Sequence, residues 1–117
     1  MPGTAFSQRF SKPHRNELRR LAGVAHDREL GGHLAALELQ FRAWRAGEFD
    51  AAELAAKIHE FHQGPNRRVF LDYQNLDADV AVARALARDI LREAEVPEDV
   101  LAAIAKQVEA LRALADL

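Results

Sequence analysis

The longest amphipathic pattern in the chain constrains its fold more than any other feature. Between about residues 16 and 46, apolar residues recur at steps of three and four. The best stripe consists of Leu30, Leu34, Leu37, Phe41 and Trp44. Because this spacing places all five side chains on one side of an α-helix, the pattern predicts a long helix whose apolar face packs against the helix that follows it.

Two irregularities interrupt this helix. Upstream of the stripe, Leu18, Leu21 and Ala25 form a shorter apolar run that is slightly out of phase with it. Gly31 and Gly32 fall inside the pattern, where each costs roughly 1 kcal/mol relative to Ala. We expect either a kink or a close contact with another helix at these glycines.

A second helix follows after a short turn. Gly47 suits the left-handed position that ends a helix. Asp50 is a good N-cap, and Glu53 follows it at the spacing of a capping box. Gly64-Pro65 is expected to end this second helix. The short connection predicts that the two helices fold back on each other as a hairpin.

Three further helical segments complete the pattern. They cover about residues 66–74, residues 77–93 and the chain from residue 97 onward. No window alternates with the period of a β-strand, and the chain contains 23 Ala, the residue with the highest helix propensity. The sequence therefore predicts an all-α domain over residues 14–117, a single compact bundle of about five helices with short connections.

The N-terminal segment is expected to differ from this bundle. Residues 1–13 contain Pro2, Gly3 and Pro13 and show no helical period, which predicts a flexible basic arm. Residues 1–28 hold six Lys or Arg against two Asp or Glu, although the whole chain has a net charge of −2. The overall balance argues against a nucleic-acid binder. The arm is either a frayed segment or a contact for an acidic partner or a nucleic-acid backbone, the last through Arg9 to Arg20.

Composition excludes several kinds of chemistry. The chain has no Cys, which removes disulfides, thiolate metal sites and a Cys nucleophile. No apolar run approaches the ~20 residues of a membrane span. The first ten residues lack the apolar core of a signal peptide, so we expect a cytoplasmic location. No nucleophile–base pair or phosphate-binding glycine loop is recognisable, so we predict no catalytic residue and no cofactor.

A candidate polar site lies at the open end of the predicted hairpin. It comprises His33, His59, Glu60, His62 and Arg67. If the two helices double back, His33 comes near His62, and neutral imidazole is a common metal ligand. The H-E-x-H spacing differs from the H-E-x-x-H motif of metalloproteases, which places its two His one full turn apart.

Two other interpretations of these residues are open. His59 and His62 fall in the last turn of their helix, where their side chains suit the helix dipole and the free carbonyls. Arg67 stands at the start of the next predicted helix, where free backbone N–H groups favour an anion. Alternatively, Arg67 pairs with Asp72 on the surface.

The sequence also offers candidates for an interface. Trp44 is either a core residue or, flanked by Arg42 and Arg45, an interface hot spot. Leu114 and Leu117 extend beyond the main stripe of the last helix, where they could seat a partner.

Several strings between about residues 27 and 113 resemble a known family. They are Arg28-Glu29-Leu30, residues 44–48, Glu53-Leu54, residues 58–64, residues 79–85 and Val96-Pro97. The most specific string, over residues 58–64, has the form Ile-His-x-Phe-His-x-Gly. On these residues the chain resembles a family of short, uncharacterised bacterial all-helical proteins. The resemblance implies a bacterial, cytosolic, all-helical protein and transfers no catalytic residue.

Two functional hypotheses follow from these observations. The first is a non-enzymatic helical protein-interaction or regulatory module that binds a protein partner or pairs with itself as a homodimer. The alternative is a protein that binds a metal or an anion, with hydrolysis as a possible activity, through His33, His59, His62 and Arg67. Nucleic acid is not an expected partner, and no membrane association is expected.

Overall fold

The computed structural model describes residues 2–115, with side chains from residue 6 to residue 115. These residues form an all-α helical bundle without strands, so the predicted fold class is confirmed. The helices are α1 (Pro2–Arg9), α2 (Lys12–Arg45), α3 (Ala51–Phe61), α4 (Arg67–Asn75), α5 (Ala78–Ala87) and α6 (Glu98–Ala115). A π-helical turn (His62–Asn66) joins α3 to α4, and a 3-10 turn (Glu93–Glu95) precedes α6. The five predicted helices correspond to α2–α6.

The N-terminal segment corrects the prediction of a flexible arm over residues 1–13. Its described part forms α1 and the start of α2, and the side chains of Phe6 and Phe10 are buried in the main core. Pro2 is the first residue of α1, and Pro13 lies in the first turn of α2 behind the N-cap Ser11. Proline is tolerated in the first turn of a helix because the N–H it lacks has no partner there. Both prolines therefore start helices.

The main core lies where α1, the first half of α2, α5 and α6 meet. Its larger buried side chains are Phe6, Phe10, Leu18, Leu21, Val82, Leu86, Leu91, Val100, Ile104 and Val108. Fully burying one Leu or Ile contributes about 1.5–3 kcal/mol. We call α1, residues 12–29 of α2, α5 and α6 the bundle core.

The helix α2 presents two apolar faces that point in different directions. The run Leu18, Leu21 and Ala25 is completely buried, whereas Leu34 in the later stripe is 47% exposed. At about 100° per residue, the centres of the two runs lie roughly 150° apart around the helix axis. The stronger stripe therefore points away from the bundle core, and Leu37 of this stripe lines a groove shared with α3.

No close helix contact forms at the two central glycines of α2. The helix runs unbroken through Gly31 and Gly32, and no other group lies within 4 Å of the position that a Cβ would take on either residue. This end of α2 is open to solvent on the glycine side.

The predicted hairpin is present. Gly47 adopts a left-handed φ of 82° and donates its N–H to the Trp44 carbonyl at 3.0 Å, which ends α2. The Asp50 side chain accepts from the N–H of Glu53 at 2.9 Å, which caps α3. Leu54 on α3 is buried. We call residues 30–61, which comprise the second half of α2, the turn and α3, the hairpin.

Gly64-Pro65 does not end the second helix as predicted. The chain stays helical through the π-turn, with Pro65 inside it, and continues into α4. Gly64 has no left-handed φ. A π-turn holds one residue more than an α-helical turn, which moves the carbonyl that the proline ring would otherwise meet. The hydrogen-bond pattern therefore changes to that of a π-helix at Pro65, and the chain continues as a helix.

The helix α5 is shorter than the prediction of residues 77–93. It ends at Ala87, and Asp89 takes a left-handed φ of 60°. The N–H of Ile90 then donates to the carbonyl of Ala85 at 2.8 Å. Asp tolerates the left-handed conformation better than most residues because its short side chain bonds locally, so it replaces the usual glycine at this stop.

The molecule is elongated because the hairpin projects beyond the bundle core. The radius of gyration is 17.5 Å, and the principal extents are 54 × 28 × 27 Å. A compact domain of this length has a radius of gyration of about 13 Å. The accessible surface of 7744 Å² likewise exceeds the about 6,300 Å² expected for a compact monomer of this mass.

Candidate functional site

The residues of the predicted polar site are divided between two grooves. His33 and Glu60 line a groove of about 330 Å³ between α2 and α3, together with Gln40 and Lys57. His62 and Arg67 line a different groove of about 250 Å³, together with Phe70. His59 is exposed and lines neither groove.

The three histidines therefore do not surround one cavity. We measure angles around the axis of α3 from Leu54, the side chain that packs inward. His62 lies about 80° from Leu54 and His59 about 140° from it in the same direction, whereas Glu60 lies about 120° away in the opposite direction. Within residues 6–115, no group of three or more His, Asp or Glu side chains is arranged to hold a metal ion. The expected convergence of His33, His59 and His62 is corrected.

The predicted anion pocket lacks its backbone donors. Because the chain is helical from α3 through the π-turn, Arg67 does not stand at a free helix N-terminus, and its N–H donates to the Gly64 carbonyl. Arg67 and Arg68 are exposed, and Asp72 pairs with Arg84 at 3.3 Å instead of with Arg67. The arrangement offers an anion only solvent-exposed guanidinium groups.

Sequence reasoning missed a polar cluster that links α2, α4 and α5. The Glu29 carboxylate accepts from the Tyr73 hydroxyl at 3.0 Å and from two nitrogens of Arg84 at 3.0 and 3.3 Å. The His26 ring stacks on Tyr73 with the ring centres 4.8 Å apart. Ion pairs between segments far apart in the chain leave no local periodicity, so no pattern in the sequence indicated this cluster.

The surroundings of this cluster shift two pKa values. Burial raises the pKa of Tyr73, and its hydrogen bond to Glu29 adds to the effect, so that the pKa reaches about 12. Burial alone would raise the pKa of Glu29, but hydrogen bonds from Arg84 and Tyr73 outweigh it and hold the pKa below its ordinary value. Both groups are thereby kept in the protonation states that bond to each other, which is a structural role.

A second buried carboxylate fastens α1 to the bundle core. Asp79 is completely buried, and its Oδ2 accepts from Arg9 on α1 at 2.5 Å and from Gln107 on α6 at 2.9 Å. The charge–charge hydrogen bond between Arg9 and Asp79 is of the strong kind. It explains, together with the buried Phe side chains, why the N-terminal residues form a docked helix.

An apolar groove runs along the hairpin. It has a volume of about 520 Å³ and is formed by one side of α2, with Leu34, Leu37 and Phe41 as its apolar residues and Glu38, Arg42 and Arg45 as its charged residues. The three apolar residues belong to the strongest stripe in the sequence, and the charged residues lie beside it. The groove therefore follows one edge of the stripe.

The helix α3 extends this apolar surface. On α3 the polar groove is lined by Lys57 and Glu60, which lie on one side of the direction of Leu54. Ala51, Ala55 and Ile58 fall on the other side, the same side of the hairpin as Leu34 and Phe41. Ile58 is 39% exposed. We call the surface formed by Leu34, Leu37, Phe41, Ala51, Ala55 and Ile58 the apolar side of the hairpin.

The predicted interface residues occupy different positions. Trp44 is neither a buried core residue nor fully exposed, because 36% of its surface is accessible at the end of α2. Leu114 is 64% exposed and lines a shallow groove at the far end of the bundle core, with Arg84 and Arg88. Leu117 lies outside the described residues.

Among residues 2–115, no helix has both the length and the apolar character that crossing a membrane requires. The resemblance to short bacterial proteins stays a prediction, and so does the cytoplasmic location. Comparison with known proteins gives no match at the level of family models, curated proteins or solved structures.

Proposed function

We propose that this chain is a non-enzymatic helical protein-interaction module that binds its partner through the apolar side of the hairpin. The observation that supports the proposal is that Leu34, at one edge of the strongest apolar stripe of the sequence, is 47% exposed and lines with Leu37 and Phe41 a groove formed by α2 alone among the described residues. An exposed apolar groove of this kind is typical of a binding site.

The size of the surface supports the same proposal. The chain exposes roughly 1,400 Å² more than a compact monomer of its mass. Burial contributes about 25 cal/mol per Å² of apolar area, so the apolar part of this excess loses stabilisation while it is in water. A partner that covers the exposed apolar residues of the hairpin provides that stabilisation. The alternative function, a metal or anion site on His33, His59, His62 and Arg67, has no comparable support because these residues are divided between two grooves and the solvent.

Site-specific photo-crosslinking tests the proposal. Leu34 is replaced by a benzophenone amino acid in the full chain, and irradiation is carried out in the cells that produce it. A matched variant carries the same group at Ala105, an exposed position of α6. We expect a discrete protein adduct from position 34 and none from position 105. Absence of an adduct at position 34, or equal adducts at both positions, would contradict an interaction through the hairpin.

A further inference from the structure

The apolar side of the hairpin fits a second copy of this chain. We infer, resting on the proposed function, that two copies pack their hairpins together so that α2 and α3 of each copy form a four-helix bundle. The apolar side of each hairpin then packs against the same surface of the other copy. The two copies are related by a two-fold axis, which is the commonest symmetry of soluble homo-oligomers.

The elongated chain has enough surface for such a dimer. A stable protein–protein interface removes about 800 Å² from each partner, and the chain exposes roughly 1,400 Å² more than a compact monomer. Residues 30–45 of α2 are about 24 Å long, which is about four helical turns. The excess surface is therefore larger than an interface of standard size requires, and the hairpin is long enough to carry one.

The residues of the apolar side have the spacing that helix pairs require. On α2, Leu34, Leu37 and Phe41 are separated by three and four residues, as in the seam of a coiled coil. On α3, Ala51 and Ala55 precede Ile58 at steps of four and three. The two Ala side chains are small, which lets a neighbouring helix approach closely while the large side chains of α2 fill the layer between them.

The charges beside the groove select an antiparallel arrangement of the two α2 helices. Glu38 and Arg42 flank the apolar residues and pair within one chain at 2.8 Å, with both side chains largely exposed. A two-fold axis at residue 40 places Glu38 of one copy opposite Arg42 of the other. A parallel arrangement would instead bring like charges together. The exposed pair within one chain contributes little to stability, so giving it up costs little, whereas like charges held together at an interface oppose binding.

Sedimentation equilibrium of the full chain tests this inference. We expect the wild-type chain to be a dimer at micromolar concentration. Leu34→Glu places a carboxylate in the shared apolar layer and should raise the dissociation constant at least about 100-fold. The matched control is Leu39→Glu, because Leu39 is also on α2 and 59% exposed but lies roughly 140° around the axis from Leu34. This control should remain a dimer.

Charge reversal tests the antiparallel arrangement separately. Glu38→Arg should weaken the dimer, and adding Arg42→Glu should restore it, because the opposed pair is re-formed with its charges exchanged. Circular dichroism confirms that each variant keeps its helix content, so that loss of the dimer is not loss of the fold. A failure of the double variant to restore the dimer would overturn the antiparallel arrangement.

The outcomes also separate this inference from the proposed function. A wild-type chain that stays monomeric, or a Leu39→Glu variant that dissociates as readily as Leu34→Glu, would overturn the dimer on this surface. A monomeric chain that still crosslinks from position 34 to a different protein would overturn self-association while leaving the interaction module in place. No crosslink and no dimer would overturn both.

Discussion

The bundle core and the hairpin are built from the same kind of amphipathic helix, but they differ in how many of their apolar side chains are buried. In the bundle core, Leu18 and Leu21 of α2 and Ile104 of α6 are fully buried. In the hairpin, Leu54 is the one buried side chain between residues 30 and 61. The comparison shows that apolar periodicity locates an apolar face on a helix, and that it does not say whether the same chain buries that face.

Polar contacts reinforce this difference. The bundle core is held by Asp79 with Arg9 and by Glu29 with Arg84 and Tyr73, all of which link segments distant in sequence. In the hairpin the one ion pair between described side chains joins Glu38 to Arg42, four residues apart on the same helix. We therefore expect the bundle core to fix the fold and the hairpin to depend more on what it binds.

The largest effect on the free energy of unfolding should come from creating a cavity in the bundle core. Ile104→Ala removes a fully buried side chain and should lower the free energy of unfolding by about 2–5 kcal/mol, because the cavity adds to the lost burial. Leu39→Ala in the hairpin, where the side chain is exposed, should change it by no more than about 0.5 kcal/mol. Urea unfolding measures both. Similar changes in unfolding free energy for the two variants would contradict the difference in packing between the two regions.

Removing the cation of the Glu29 cluster should have the next largest effect. Arg84→Met leaves the Glu29 carboxylate largely buried with only Tyr73 as donor, and should cost about 2–3 kcal/mol of unfolding free energy. The double variant Glu29→Gln with Arg84→Met should recover part of the loss, since position 29 no longer carries a charge, while Asp72 loses its contact with Arg84 in both variants. Thermal or urea unfolding provides the measurement. A double variant less stable than Arg84→Met would contradict this account.

The cap of α3 should have a smaller effect, confined to the hairpin. Asp50→Ala removes the side-chain acceptor for the Glu53 N–H and should cost about 1 kcal/mol. Hydrogen exchange should become faster in α3 and stay unchanged in α5. Asp50→Ser, which keeps an acceptor, should restore the slow exchange. Equal acceleration in α5 would mean that the two regions unfold together.

The smallest expected effect is the acid dependence of an exposed pair on the bundle core. The hydrogen bond from Arg28 lowers the pKa of Glu95 from 4.5 to about 2. A lowered pKa gives stability that is present above pH 4.5 and is lost as the pH falls toward 2. The wild-type chain should therefore melt slightly higher than Glu95→Gln at pH 7, and the difference should vanish near pH 2. A difference that grows in acid would contradict the assigned pair.

Local signals in the sequence predicted the local structure well. The left-handed Gly47, the cap at Asp50 and the extent of α2 and α6 follow from residue types whose effects act within a few positions. Pro13 was misinterpreted because the same residue that stops a helix inside its length starts one in the first turn. Its meaning depends on where the preceding cap lies, and Ser11 supplies that cap.

Long-range features could not be predicted in the same way. Glu29 and Arg84 are 55 residues apart, and no pattern in either segment indicates that they meet. The predicted convergence of the histidines was wrong for a related reason. A hairpin brings two helices together, but the direction in which Leu54 packs determines on which side of α3 each histidine lies. The sequence predicted the apolar stripe of α2 and its pairing with α3, and it did not indicate that Leu34 at the edge of the stripe stays 47% exposed.

The π-turn at His62–Asn66 sets the rotational phase between the hairpin and the rest of the chain. In an uninterrupted α-helix Tyr73 would stand about 100° away from the direction of Leu54, and the one additional residue of the turn returns it to nearly the same side. Both side chains can then face α2, one against the hairpin and the other against Glu29. Shortening this segment by a single residue would consequently swing the phenol ring out of reach of its carboxylate, whereas an insertion at the solvent-exposed turn around Gly47 would leave that alignment intact.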